Sequence, residues 1–478
     1  MKKRSITLNW FLTMCNKIFV IFVPLITTPY ITRVLGAEGL GIYTYCLSYS
    51  SLFIVLGTVG IPLYGKRTVA IYKDKPEILS KIFCELIFLQ QLLLIVSCIA
   101  YYITAKCVGV YWWMFCACSV GHLAAFFDIS WFYEGLEDFK TVVVRNFLIK
   151  ILSVVCIFIF VKDEKDLYIY AMCLFSSNLL GNISLWKNIS RYIQLGIPNI
   201  VNCIGHLKSC LFLLLPCAVT QLFQIIDKSM LGTLCADISE VAYYEQSRKI
   251  ISLSMTLVTA LGIVVMPRLS AFFHESKKQQ LKEYINKAID ITLLVSVAVA
   301  FGCAAISSNL VPWFFGAEFE KVEKLLIISA PLIIFMGISE LLGVQILTAM
   351  KKENALLIIN VISIVINVFF NAILIPSYMS YGAMYATVLA EIVKCVILIV
   401  YTKELLDIRE ILTNLVKYIL YAAIMYCFIV VLNDKFFGQA NITNTICLVL
   451  AGIIVFGIIL MVVKNQWMSY VIRKIIKK

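Results

Sequence analysis

The chain reads as an all-α polytopic membrane protein, and three observations carry that reading. Apolar residues come in block after block of about 20, the length a helix needs to cross the hydrocarbon core of a bilayer. Hydrophobic residues make up 61% of the 478, and the mean hydropathy is +0.92. The blocks are also continuous, as in LLLIVSCIAYYI, LSVVCIFIFV and CLVLAGIIVFGIILMVV. Strands of a membrane barrel would alternate apolar and polar side chains, so these segments are helices that satisfy their own backbone groups.

About fourteen spans follow in order: 10–32, 41–62, 84–104, 111–132, 142–161, 167–186, 209–230, 250–267, 287–308, 325–348, 355–375, 382–401, 417–432 and 444–463. Lysine and arginine set their orientation. With Arg145, Lys150, Lys287 and Lys417 counted from the adjoining span ends, the N-terminus, the even-numbered gaps and the C-terminal tail hold about 29 of the 41 Lys+Arg, and the other gaps hold about 9. Lys17, Lys228 and Lys394 lie within spans or at their edges. Both termini are therefore expected in the cytoplasm. One missed span would invert every gap after it, so the regular alternation also supports the count.

The net charge of +13 belongs to loops facing anionic headgroups rather than to nucleic-acid binding. Lys2, Lys3 and Arg4 precede a long span with no small-residue cleavage site, so no cleavable signal is expected. Most of the 17 cysteines fall within spans, where cysteine is a small apolar residue; Cys107 and Cys235 are too few for a disulfide scaffold. Cys/His zinc spacing is absent, and His122, His206 and His274 are the only histidines. No metal, cofactor or catalytic residue is expected. There is no phosphate-binding Walker loop, so energy must come from a gradient, the membrane potential or substrate turnover.

The first and seventh spans resemble each other. Pro24 pairs with Pro216, Arg33 before Leu35-Gly36 pairs with Lys228 before Leu231-Gly232, and Gly41-Ile42-Tyr43 pairs with Ala242-Tyr243-Tyr244. Six spans separate the copies, so they run in the same direction. That predicts two six-helix lobes, residues 1–190 and 191–404, with spans 13 and 14 and a basic tail appended over 405–478. Paired prolines interrupt equivalent helices, which marks Pro24 and Pro216 as hinge candidates next to a transport site.

Polar side chains inside a membrane are costly and face a cavity or another helix. Asn9, Thr13 and Asn16 share one face of span 1, with Lys17 beside them. Asn202, His206, Ser209, Thr220, Gln224 and Asp227 make a stripe along the seventh span and its approach. Asn360, Ser363, Asn367 and Asn371 line span 11, and Thr387, Glu391 and Lys394 follow on span 12. Asp128, Arg145, Lys150, Asp290 and Glu340 complete the set. Each stripe is either the wall of a water-filled cleft or polar glue between helices. Glu391 and Lys394, three residues apart, are placed to neutralise each other. Asp128, Glu340 and Glu391 are the acidic candidates for coupling to a cation.

ITTPYITRVLGAEGLGIY, GIPLYGKRTVA, DISWFYEGLEDF with VVVRNFLIK, IDKSMLG…SEVAYYEQSRKI, VMPRLS and VPWFFGAEF together resemble the oligosaccharide/polysaccharide repeat-unit flippases. These belong to the multidrug/oligosaccharidyl-lipid/polysaccharide exporter superfamily. The resemblance runs from about Asn9 to Glu404. It implies alternating access around a central cavity in a bacterial cytoplasmic membrane. The implied cargo is an undecaprenyl-diphosphate-linked oligosaccharide, moved to the outer leaflet for O-antigen or capsule. The implied partners are that lipid, the bilayer, and a polymerase with other assembly proteins; nucleic acid is not among them. Lys17, Arg33, Arg145, Lys228, Arg248 and Lys249 match family positions, as gates or as cations for a diphosphate. Arg145 and Lys150 lie towards the cytoplasm and suit entry; Arg33, Lys228, Arg248 and Lys249 lie towards the outside and suit release. Two relatives in function compete, a lipid II flippase and a cation-coupled multidrug exporter. A third alternative, a membrane scaffold without transport, sits poorly with the polar stripes of spans 1 and 7.

Overall fold

The computed structural model describes the backbone of residues 6–259 and 278–469, and the side chains within that from residue 22 onward, apart from 212–218, 220 and 278. The end of the eighth expected span, the VMPRLS motif, His274 and the last residues of the tail lie outside the described residues. Among the described residues all regular structure is helical, with no strand. In order the helices are α1 (Ile6–Thr58), α2 (Ile61–Tyr72), α3 (Pro76–Val108), α4 (Trp112–Phe126), α5 (Ser130–Gly135), α6 (Phe139–Phe160) and α7 (Leu167–Trp186). Then come α8 (Ile200–Leu234), α9 (Ser239–Thr259), α10 (Lys278–Phe314), α11 (Lys321–Ser339), α12 (Glu353–Tyr401), α13 (Ile408–Phe436) and α14 (Ile442–Val462). A π-helical stretch, Glu340–Leu347, continues α11.

Where described, every expected span falls on helix, apart from short turns at Val59–Gly60 and at Phe127–Ile129 and the end residues Tyr111, Val161 and Val463. Nine helices among the described residues are long and apolar enough to cross a membrane. Their outward faces keep large apolar side chains uncovered, such as Ile453 at 65% and Val462 at 75% exposure on α14. In water a belt of that kind would drive aggregation. In a bilayer it is the ordinary lipid face, and the protein is a multi-pass membrane protein.

Two pairs of expected spans join into single long elements. In α1 the two spans are separated by Gly36, with φ 66° and ψ −179°. Only glycine occupies that region freely. Pro24 and Pro29 lie inside α1 with helical dihedrals, and the break comes at Gly36. In α12 the break is at Met379, φ 53° and ψ −129°, a strained setting for a residue with a side chain.

The chain forms two compact units, Met1–Val241 and Ala242–Lys478. In the first, α1 packs on α3, α4 and α8 through glycines, which let helix backbones approach closely. Gly57 faces Leu94 and Ser97, Gly41 faces the Ile238 carbonyl, and Gly232 faces the ring of Tyr45. Gly36 and Gly232, paired by sequence, therefore do different work: one breaks a helix, the other makes room for an aromatic ring. Gly65 on α2 lies under Trp131 of α5, and Gly135 lies against Val69 and the Lys66 carbonyl. Lys66–Glu134 at 2.9 Å and Lys73–Glu137 at 3.2 Å close the same clamp. Two family-like motifs, GIPLYGKRTVA and DISWFYEGLEDF, thus pack on each other over an aromatic core of Phe83, Trp131 and Phe132.

In the second unit α10 packs against α11, α13 and α14. Asp290, near one end of α10, accepts from Asn414 Nδ2, Tyr418 Oη and Gln466 Nε2 at 2.8 Å each and from Trp467 Nε1 at 2.6 Å. Asn309, near the other end, donates to Asn433 Oδ1 at 3.1 Å and to the Phe437 carbonyl, and accepts from Thr445. The two appended helices are held to α10 by a polar clasp at each end. Asp290 is thereby assigned a structural partner set.

Candidate functional site

Apolar sequence makes the helices, so the polar residues they carry define the candidate site. Span 1 brings Asn16 and Lys17 into α1, but their side chains lie outside the described residues. Arg33 is exposed and donates to the Pro29 carbonyl at 2.6 Å, one turn back on the same helix. Pro216 lies within helical backbone of α8, its side chain outside the described residues. Beyond it Gln224 is exposed, Asp227 is 1% exposed and Lys228 is half-buried. Ser229 and Thr233, on the same helix, bond Ser48 and the paired hydroxyls of Tyr45 and Tyr49 on α1.

The cations of α6 in the first unit are better defined. Arg145 on α6 donates to Oδ1 of Asn182 on α7, and Asn182 in turn donates to the Ala124 carbonyl at 2.6 Å. Gly181 leaves the room that Ile149 and the Arg145 stem occupy. Nε of Arg145 is buried with no hydrogen-bond partner. The carboxylates of Asp128 and Glu134 act on Arg145 through space. A guanidinium fixed by an amide keeps a permanent charge and a planar fork of donors in one place. Lys150, further along α6, is half-buried. Asp128 accepts from Ser130 N at 2.8 Å and thereby caps the turn before α5.

That turn is closed by residues the sequence did not single out. Gln90 on α3 donates to the carbonyls of Ala125 and Asp128 at 2.9 Å each, and Trp131 Nε1 donates to Gln90 Oε1 at 3.1 Å. Trp186 Nε1 donates to the Phe127 carbonyl at 2.8 Å. Backbone groups freed inside a membrane must find such partners.

A second unassigned group is Glu85 on α3, 4% exposed. It accepts from Asn202 Nδ2 at 2.8 Å and bonds His206 Nε2 at 3.1 Å, both on α8. His206 Nδ1 meets the Tyr64 hydroxyl of α2 at 2.9 Å. Asn202 and His206 belong to the α8 stripe seen in the sequence. Their partner is a single acidic residue inside an apolar run, IFCELIFLQQ, and that charge was the available signal.

In the second unit Arg248 is half-buried on α9, its Nη1 buried without a hydrogen-bond partner, and Lys249 donates to Gln246 Oε1 at 3.1 Å. Glu391, 5% exposed, is bridged by Lys394 on the same helix at 3.3 Å. Their charges reach Glu340, which opens the π-helical stretch. Insertions of that kind recur at functional sites. Gln345 Oε1, in the same stretch, is buried without a partner. On α12 Ser363 donates to the Ala390 carbonyl at 3.1 Å across the break at Met379, and Asn371 donates to Asn367 at 3.2 Å within one limb.

Two family models match. One, described as polysaccharide biosynthesis protein, covers residues 6–273; the other, lipid II flippase MurJ, covers 199–471. A Shigella dysenteriae protein named "Putative O-antigen transporter" is 23% identical over 403 residues, which is 82% of this chain and 97% of that protein. A Haloferax volcanii protein named as a low-salt glycan biosynthesis flippase is 26% identical over 187 residues, 39% of each chain. Among solved structures, an inward closed lipid II flippase MurJ superposes with TM-score 0.75 at 17% identity over 99% of this chain and 100% of that one. An inward-facing multidrug resistance transporter of the same superfamily gives 0.63 at 13% identity, over 80% and 94%. These likenesses establish the fold.

Proposed function

The chain belongs to the polysaccharide biosynthesis protein family of the multidrug/oligosaccharidyl-lipid/polysaccharide exporter superfamily, and on that premise we propose that it flips lipid-linked oligosaccharide repeat units. The cargo is an undecaprenyl-diphosphate-linked oligosaccharide. It moves from the cytoplasmic to the outer leaflet of a bacterial cytoplasmic membrane, for O-antigen, capsule or a similar surface polymer. Both termini face the cytoplasm. Lobes of residues 1–190 and 191–404 alternate in access, with 405–478 appended and Pro24 and Pro216 as hinges. The chain carries cargo and performs no bond chemistry on it; polymerase and assembly proteins act on what it delivers.

The observation that carries this reading is the match to the O-antigen transporter relative along 97% of that protein's length. Arg145 supports it: a guanidinium fixed by Asn182, on the proposed entry side, has the charge a diphosphate headgroup needs. Lys150 is the further entry candidate, Arg33, Lys228, Arg248 and Lys249 are the release candidates, and Lys17, Asn16, Gln224 and Asp227 are further cavity candidates. Asp128, Glu340 and Glu391 are the candidates for ion coupling.

A second reading is lipid II transport, favoured by the family model over 199–471. Deleting the gene separates the two. The first reading expects viable cells that lose surface polymer and accumulate lipid-linked repeat units on the cytoplasmic side. Loss of viability with arrested peptidoglycan synthesis supports lipid II instead.

A further inference from the structure

We infer that the Tyr64–His206–Glu85–Asn202 cluster is a proton-binding site, taking up one proton on the His206 imidazole in each transport cycle. The inference rests on the flippase reading for its coupling to cargo, and on geometry alone for the site.

The cluster joins three elements: Tyr64 from α2, Glu85 from α3, and Asn202 and His206 from α8. Glu85 and His206 side chains are 5% and 15% exposed. Among the described residues no lysine or arginine pairs with Glu85. Lys81 and Lys208, the nearest cations along α3 and α8, are exposed. The other titratable groups near it are thiols: Cys203 donates to the Glu85 carbonyl at 3.6 Å, and Cys84 accepts from the Gly196 amide. From α1 the α3 face meets Gly57, without charge. From α4 the titratable His122 stacks on Tyr101, much further along α3.

A carboxylate buried with neutral donors alone is costly, and a proton on its neighbour removes that cost. The hydrogen bonds allow it without rearrangement. With neutral imidazole, Nε2–H donates to Glu85 and Nδ1 accepts from the Tyr64 hydroxyl. With imidazolium, both ring nitrogens donate and the Tyr64 oxygen accepts. The proton comes from water and the cluster goes from one negative charge to neutral, with every bond kept. Because the bonds tie α8 to α2 and α3, protonation changes how firmly α8 is seated. The cluster lies near the starts of α3 and α8, on the side the Lys/Arg distribution assigns to the cytoplasm.

The chain has three histidines, so His206 can be followed by nitrogen-15 NMR of the full chain in nanodiscs, assigned by its loss in His206→Gln. We expect a reversible neutral-to-cation change as the pH is lowered. Glu85→Gln should cut the imidazolium population at a given pH by about tenfold. In proteoliposomes carrying a lipid-linked oligosaccharide, wild-type flipping should vary with pH and His206→Gln should flatten the profile. If His206→Gln does not fold, Tyr64→Phe, which removes one hydroxyl, should shift the profile to lower pH. An imidazole that stays neutral throughout, or a variant with the wild-type pH profile, overturns the inference. Wild-type protein that flips nothing at any pH, while His206 still titrates, overturns the flippase reading instead.

Discussion

Arg145 gathers the site at the scale of single residues. Its position depends on Asn182, which is itself fixed by the Ala124 carbonyl. Arg145→Ala should lower polymer export by about tenfold or more, the equivalent of one charge-assisted hydrogen bond of roughly 1.5–3 kcal/mol, with normal abundance in the membrane. Arg145→Lys should keep part of the rate, since a point charge still attracts a phosphate but loses the planar fork. Lys17→Ala should act in the same direction, with lipid-linked repeats building up on the cytoplasmic side; wild-type export would make Lys17 a packing residue. Residue-level legibility was uneven for a physical reason. Arg145 and Lys150 stand out as charges in apolar sequence. Asn182 and Gln90 do not, because an amide within a span is common and its partner is fixed only by packing. Glu85 was visible as a charge, yet its histidine sits more than a hundred positions away on another helix.

Helices and their breaks are governed by different terms. Spans were legible because twenty apolar residues have one stable form in a bilayer. The joins were not, since Gly36 and Met379 set them by backbone dihedrals that hydropathy does not record. Gly36→Ala should destabilise by about 1–3 kcal/mol, because its φ/ψ region excludes a β-carbon. Met379→Gly should do the reverse and raise the melting temperature, by relief of about 1 kcal/mol of strain. Thermal unfolding in detergent measures both. The α2–α5 clamp gives a third expectation. A methyl on Gly135 would meet Val69 at 2.6 Å and the Lys66 carbonyl at 2.8 Å, so Gly135→Ala should cost about 1–3 kcal/mol. Asp290 stands in the sequence only as one more charge among the spans, and packing gives it four donors. Asp290→Leu would strand those donors and loosen α13 and α14.

For the whole molecule, the Lys/Arg asymmetry and the helix count must agree with each other. Tags at Lys2 and Lys478 should both be protected from protease added outside intact cells; exposure of either one ends the fourteen-span topology. Fold class was legible almost entirely, since the bilayer leaves so few alternatives. The cargo was legible only through the motifs, because headgroup cations do not report which sugars follow. The most direct test is a flipping assay with purified protein in liposomes. They would carry an undecaprenyl-diphosphate oligosaccharide labelled on its sugar, with a membrane-impermeant reagent outside. Protein-free vesicles expose only the outer-leaflet share of label. The account predicts that the wild-type chain brings the inner-leaflet share to the reagent and that Arg145→Ala does so about tenfold more slowly. Label that stays protected with wild-type protein, while lipid II in the same vesicles becomes accessible, would contradict it.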